Sequence, residues 1–258
     1  MKFVIFKLNS IKRAVTLTLI VLLLSIFTLS VNAASLYFVY TERLVPIYSV
    51  DTAGEKVVAL SFDAAWGADK TSDIIRILKE HNVGGTFFLV GFWSEKYPDK
   101  IKEIDAAGLD IGTHSNTHPK MSTLSQSQII SELSISSKLI SDITGKTVRF
   151  FRPPYGDYNN LLVSTATGLG LQTIQWSVDS LDWKGLSSNQ ILARIKSGIH
   201  PGAIVLFHNN ADHVVEALPL IISFLKEQNY KIVKMSDLVL QSDYVVDNLG
   251  IQKRASGK

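Results

Sequence analysis

The chain has 258 residues, 46% of them hydrophobic and 19% charged, a balance that suits a sizeable buried core and excludes a disordered chain. It has no cysteine, which excludes a disulfide scaffold, an iron–sulfur cluster, a Cys-ligated zinc site and a thiol nucleophile, and leaves His, Asp and Glu as possible metal ligands. The formal charge of +3 becomes −1 once the first 33 residues are set aside, so the body carries no basic footprint for nucleic acid.

Lys2, Lys7, Lys12 and Arg13 precede an uncharged run over residues 14–31, AVTLTLIVLLLSIFTLSV, and Val31-Asn32-Ala33 then fits a small-residue processing site. Residues 1–33 read as a signal peptide, and because the run approaches spanning length an uncleaved signal anchor competes with that reading. Both put the body across the cytoplasmic membrane, the second tied to it. Residues 34–55, with Pro46 and Gly54 and no clear period, form a lead-in with room for one short edge strand.

From Val57 onward, apolar β-rich runs alternate with stretches of helical period. Strands are predicted over Val57–Asp63, Gly85–Val90, Asp110–His114, Val148–Phe151, Gln172–Val178, Ala203–His208 and Lys231–Val233. Helices are predicted between them, over Ser72–His81, Ser94–Ala107, Ser125–Ile143, Asn159–Thr167, Ser187–Ile199 and Val214–Gln228. Several strands (VVALSF, TFFLV, AIVLF) are apolar without alternation, as in a parallel sheet covered on both faces, where helices make the crossovers. This α/β domain spans residues 56–241, and the polar tail over 242–258 is predicted to fray.

Asp63, His114, Arg152, Asp179 and His208 each fall at or just past the C-terminal end of a different predicted strand. In a (β/α) barrel that end is one rim, whereas an open sheet would leave outer strands far from a shared crevice, so a barrel is expected. No glycine-rich phosphate loop follows the first strand.

Within His114-Ser115-Asn116-Thr117-His118, two imidazoles four residues apart on a helical turn would point the same way and could share a cation; a polar loop of hydrogen-bonded histidines is the plainer alternative. Asp63 and His208 could supply a carboxylate base and an imidazole acid on either side of a water, or be a turn residue and a core histidine. Arg152, ahead of Pro153 and Pro154, could pair with a site carboxylate in bidentate fashion. Trp183 could stack on a sugar ring or lie buried, and Trp66 could wall the site or pack beneath it. His81 suits a helix C-terminus, while His200 and His213 read as loop residues.

Five segments in this order, SFDAAW, HSNTH, RPPYG, DSLDW and LFH (Leu206 to His208), resemble the NodB-like polysaccharide deacetylases, carbohydrate esterase family 4, from about Val57 to Leu240. The resemblance implies a distorted (β/α) barrel of about seven parallel strands that hydrolyses N-acetyl groups on amino sugars of a cell-wall polysaccharide. By the same resemblance Asp63 is the general base, His208 the general acid, Arg152 the tether of the base and Asp179 the partner of the acid. His114 and His118 are implied as ligands of a divalent metal such as zinc. Tyr155 is implied to offer its backbone N–H to the oxyanion, with Leu206 and Trp183 lining the sugar pocket. One position departs from the family pattern: Ala64 stands where a second Asp usually supplies the third metal ligand. The FDAAW combination most closely resembles the PdaB-type subgroup of spore-forming bacteria. Three outcomes follow for the metal: two His and water, a substitute oxygen such as Asp69, or no metal and little activity. A non-catalytic glycan-binding protein on the same scaffold is the competing function.

Overall fold

The structure, a computed structural model, describes residues 12–13, 15–28 and 43–255. The chain divides into two units, Met1–Glu42 and Arg43–Lys258. In the first, residues 15–28 are helical with exposed side chains, and among the described residues no helix is long and apolar enough to cross a membrane. The expected processing site at Val31-Asn32-Ala33 lies outside the described residues.

The second unit is built around an eight-stranded parallel sheet. Its strands are β2 (Val57–Ala64), β3 (Thr86–Leu89), β4 (Asp110–Thr113), β5 (Phe150–Phe151), β6 (Gln172–Thr173), β7 (Val178–Asp179), β8 (Ile204–His208) and β9 (Lys231–Val233). They run in the order β6-β5-β4-β3-β2-β8-β7, with β9 beside the first half of β2. The predicted strand over Gln172–Val178 is thus two: β6 pairs with β5 at one edge of the sheet and β7 with β8 at the other. One continuous segment therefore supplies both edges, which curls the sheet into the distorted barrel.

The lead-in packs into the seam between those edges. Ile47 bridges Ile174, and the Val50 N–H donates to the Gly202 carbonyl at 3.0 Å. Beyond it, β1 (Ser49–Val50) pairs in parallel with β11 (Ile251–Arg254), which pairs antiparallel with β10 (Tyr244–Val246). The expectation of a frayed tail is corrected here. Gln252 is wholly buried, and its side-chain amide accepts from the Leu240 N–H at 2.8 Å and donates to the Leu240 carbonyl at 2.9 Å, which anchors a polar segment that hydrophobicity alone does not reveal.

Helices α1 (Thr71–Glu80), α2 (Gly91–Lys96), α3 (Pro98–Ala106), α4 (Gln126–Thr144), α5 (Asn160–Gly168), α6 (Ser188–Gly198) and α7 (Val214–Glu227) follow successive strands, and the one-turn α8 (Met235–Leu238) follows β9. The single helix predicted over Ser94–Ala107 is two, because Pro98 disfavours helical geometry at Tyr97, which sits at φ −128°, ψ 52°. A capping box between Ser125 and Gln128 starts α4. Alternation along β2 divides its side chains. Leu60, Phe62 and Ala64 join the apolar layer shared with α1, α4 and α7, while Ser61 and Asp63 face the barrel interior with Arg152.

Candidate active site

The residues at the strand ends converge on a cleft of roughly 530 Å³ lined in part by Asp63, Trp66, His118, Tyr155, Asp179, Trp183, Leu206 and His208. Asp63, one residue before the end of β2, and His208, which closes β8, are in register with each other across the two strands. Arg152, just past β5, is fully buried: its Nη1 donates to Asp63 Oδ1 at 2.8 Å and its Nη2 to Ser61 Oγ at 2.9 Å and the Gln175 carbonyl at 3.1 Å. Its guanidinium lies 4.2 Å from the centroid of the Phe88 ring. Burial opposes ionisation of Asp63, but the Arg152 cation, helped by His114 and His208, overrides it and holds the carboxyl below its ordinary value.

His208 Nδ1 lies 2.8 Å from Asp182 Oδ1, and the His208 backbone N–H donates to the other oxygen of the same carboxylate at 2.8 Å. Burial works against the imidazolium, yet the Asp182 hydrogen bond and charge raise the His208 pKa above 6.5. With Nδ1–H given to Asp182, the Nε2–H is left to serve a substrate. This corrects the assignment of Asp179 as the acid's partner. Asp179 stands on the cleft wall, and its Oδ1 accepts from the Leu181 N–H at 2.8 Å. Leu181, at φ 51°, turns the chain so that Asp182 reaches back under His208.

His114 is buried just past β4, and its Nδ1 lies 2.7 Å from the Arg152 carbonyl, which fixes the proton on that nitrogen. Its Nε2 then presents a lone pair 3.5 Å from Asp63 Oδ2. Desolvation keeps the His114 ring neutral, and desolvation with His114 beside it lowers the His118 pKa to about 4. The two rings meet edge to face with centroids 5.0 Å apart. They do so from a loop rather than the expected helical turn: Ser115 and His118 are left-handed, at φ 68° and 60°. Glu132 of α4 holds the loop, accepting from the Asn116 and Thr117 N–H groups and from Thr117 Oγ1 at 2.7–2.8 Å.

The donor set is a test of the metal. His118 Nδ1 is buried with no hydrogen-bond partner, and His114 Nε2 faces a carboxylate lone pair to lone pair, an arrangement that suits a cation. Among the described residues, however, no group of three or more His, Asp or Glu is placed to hold one. Ala64 is buried on the face of β2 opposite Asp63, and Asp69 is exposed and is not among the residues lining the cleft. The residues fit a weakly held divalent cation on two imidazoles and not a closed three-ligand zinc centre.

The two tryptophan alternatives resolve toward the cleft. Trp183 is 59% and Trp66 57% exposed, with the Trp66 ring 5.0 Å from that of His118. Tyr155, at φ 61°, packs on His118 at 4.6 Å. Sequence reasoning missed Glu132, Asp182 and Trp176, which also lines the cleft, with the Arg152 guanidinium 5.7 Å from its ring centroid. Only Asp182 left a signal, as the second carboxylate of DSLDW. His81 caps α1, and His213 precedes α7 beside Glu216.

Comparison with known proteins agrees with this fold. The polysaccharide deacetylase family model matches residues 51–174. The peptidoglycan-N-acetylmuramic acid deacetylase PdaA of Bacillus subtilis is 34% identical over 201 residues, 76% of each chain. A peptidoglycan-N-acetylglucosamine deacetylase of Bacillus cereus is 33% identical over 70% of this chain and 67% of its own. Among solved structures, a wild-type carbohydrate esterase family 4 pseudoenzyme from Bacillus anthracis superposes with a TM-score of 0.74 at 37% identity, over 81% of this chain and 70% of that one. A mutant of that pseudoenzyme with restored enzymatic activity gives 0.73 at 38%, over 81% and 72%. With the rim, the buried partners of Asp63 and His208 and the curled parallel sheet in place, this chain belongs to the polysaccharide deacetylase family, carbohydrate esterase family 4.

Proposed function

We propose that the cleft binds N-acetylated amino-sugar glycan of the peptidoglycan type and hydrolyses its acetamide, at a turnover limited by a two-imidazole cation site. The observation that carries this reading is that a carboxylate, Asp63, and an imidazole, His208, face one cleft, each with its own buried partner, Arg152 for Asp63 and Asp182 for His208. Residues 1–33, as signal peptide or anchor, would deliver the domain to the outer side of the membrane where such glycan lies. The FDAAW resemblance adds spore formation as the setting.

In the proposed reaction Asp63 accepts the proton of the attacking water, a C–O bond forms and the C–N bond breaks. His208 Nε2–H protonates the departing amine, giving acetate and a free amino sugar. The Tyr155 N–H is assigned to the oxyanion, Leu206 and Trp183 to the acetyl-sugar pocket, and Asp179 to a sugar hydroxyl. A divalent cation such as zinc on His114 and His118, when bound, would polarise the carbonyl and lower the pKa of water. Because Arg152 keeps Asp63 a weak base, catalysis depends on how well those two rings retain the cation.

A second reading, glycan binding without turnover, is favoured by Ala64 and the two-donor site. Acetate release from N-acetylated peptidoglycan fragments, with zinc varied, separates the two. Hydrolysis predicts release that grows with zinc and falls at least about a hundredfold in Asp63→Asn and in His208→Ala. Fragments that bind without releasing acetate at any zinc concentration would establish the second reading.

A further inference from the structure

Gln175 lies in the link between β6 and β7, the stretch that carries the chain from one edge of the sheet to the other. It is buried and is not among the residues lining the cleft. Three of its polar groups are engaged. Its backbone N–H donates to the Ile47 carbonyl at 2.7 Å, and the Ile47 N–H donates to the Thr173 carbonyl at 2.9 Å, so the lead-in clasps the link. Its backbone carbonyl accepts from Arg152 Nη2 at 3.1 Å, next to the contact of the same guanidinium with Asp63. Its side-chain Nε2 donates to the Gly156 carbonyl at 3.0 Å.

That last bond bears on the turn that presents Tyr155. Tyr155 and Gly156 are left-handed in succession, at φ 61° and 67°, and a tyrosine stays in that region only where its surroundings impose it. Both ends of the turn are anchored. Arg152 precedes it, and after it Asp157 Oδ2 accepts from the Ser122 N–H at 2.9 Å and the Tyr158 hydroxyl accepts from Arg43 Nη2 at 3.0 Å. Between those anchors Gln175 reaches the middle of the turn, which lies so close to the link that a Cβ at position 156 would stand 3.0 Å from Trp176 Cη2. An apolar side chain would fill the same volume, whereas a buried amide costs free energy unless its hydrogen bonds are made, so the bond and not the volume accounts for a glutamine here. We propose that Gln175 is a positioning residue: with its backbone fixed by the lead-in and by Arg152, its amide holds the Gly156 carbonyl and keeps the Tyr155 N–H aimed at the oxyanion. One residue of the closing link thus ties the tether of Asp63 to the oxyanion turn. The inference rests on the hydrolytic reading of the cleft.

The test is acetate release from N-acetylated peptidoglycan fragments by the full chain in saturating zinc, together with amide hydrogen exchange across the turn. Gln175→Leu keeps both backbone bonds and removes only the side-chain bond; Gln175→Met does the same with a more adaptable shape should the first variant unfold. Either should lower kcat about ten- to a hundredfold with KM within about twofold, since an oxyanion donor acts in the transition state and not on bound substrate. Exchange at the Gly156 and Asp157 amides, which donate to the Pro153 and Pro154 carbonyls, should quicken severalfold. Gln172→Leu is the control for a merely structural loss, because Gln172 lies in the same closing segment and bonds the Leu240 carbonyl instead. It should lower the urea midpoint and leave both kcat and the turn's exchange alone. Unchanged kcat in the folded Gln175 variants, an equal fall in Gln172→Leu, or a fall in kcat without faster exchange overturns the positioning role and leaves the hydrolytic reading standing. No acetate from the native chain at any zinc concentration overturns both.

Discussion

His208 owes its raised pKa to Asp182, and the difference between Asp182 and Asp179 is a matter of one left-handed residue, Leu181. Both carboxylates are plain in DSLDW, but no periodicity tells which turns inward; that choice needs backbone geometry. Asp182→Asn should let desolvation lower the His208 pKa, moving the alkaline limb of the acetate-release pH profile to lower pH, whereas Asp179→Asn, which removes only a weaker charge contribution, should move that limb less. The reverse pattern would restore the original assignment. His118 gives a stability test of opposite origin. Its folded pKa, about 4, lies below the ordinary 6.5, so in chelator the unfolded chain binds the proton first and stability should fall as pH drops from about 6.5 toward 4. Urea midpoints at either end of that window measure it, and a His118→Gln variant should show a shallower fall. Ala64 sits in the apolar layer, so Ala64→Asp should destabilise the chelated protein by stranding a carboxylate and regain stability with zinc as that carboxylate turns to the cation. Thermal midpoints that ignore zinc would mean that the side chain stays on the apolar face.

At the scale of elements, the sequence period was most legible where packing enforces it. The long α4 and α7 and the apolar strands β2 and β8 lie within a residue or so of their predicted bounds. Irregular segments were not legible. HSNTH has helical spacing without helical structure, because Glu132, fourteen residues beyond His118, takes the loop's N–H groups. Such a pairing leaves no local pattern. Glu132→Ala should cost about 1 kcal/mol in stability and weaken zinc binding severalfold as His118 loses its fixed place. Isothermal titration of zinc checks this, and unchanged affinity would show that the loop holds itself.

At the scale of the molecule, barrel and rim were readable because five polar residues each end a strand, and a rim is where such ends meet. The closure was not readable. It depends on a segment that serves both sheet edges and on a polar tail whose strand β11 pairs with the lead-in. Gly202 marks that seam: at φ +77° a Cβ there would lie 1.7 Å from the Val50 carbonyl oxygen. Gly202→Ala should therefore destabilise the domain by at least about 2 kcal/mol, visible as a lower urea midpoint. The central claim concerns the whole protein, a deacetylase cleft limited by its cation. Its most direct test is metal content and acetate release on one preparation, after dialysis and again across a zinc titration. The claim predicts well under one equivalent of metal after dialysis and acetate release that rises with added zinc. One firmly held equivalent with full turnover before any addition, or full zinc occupancy with no acetate, would contradict it.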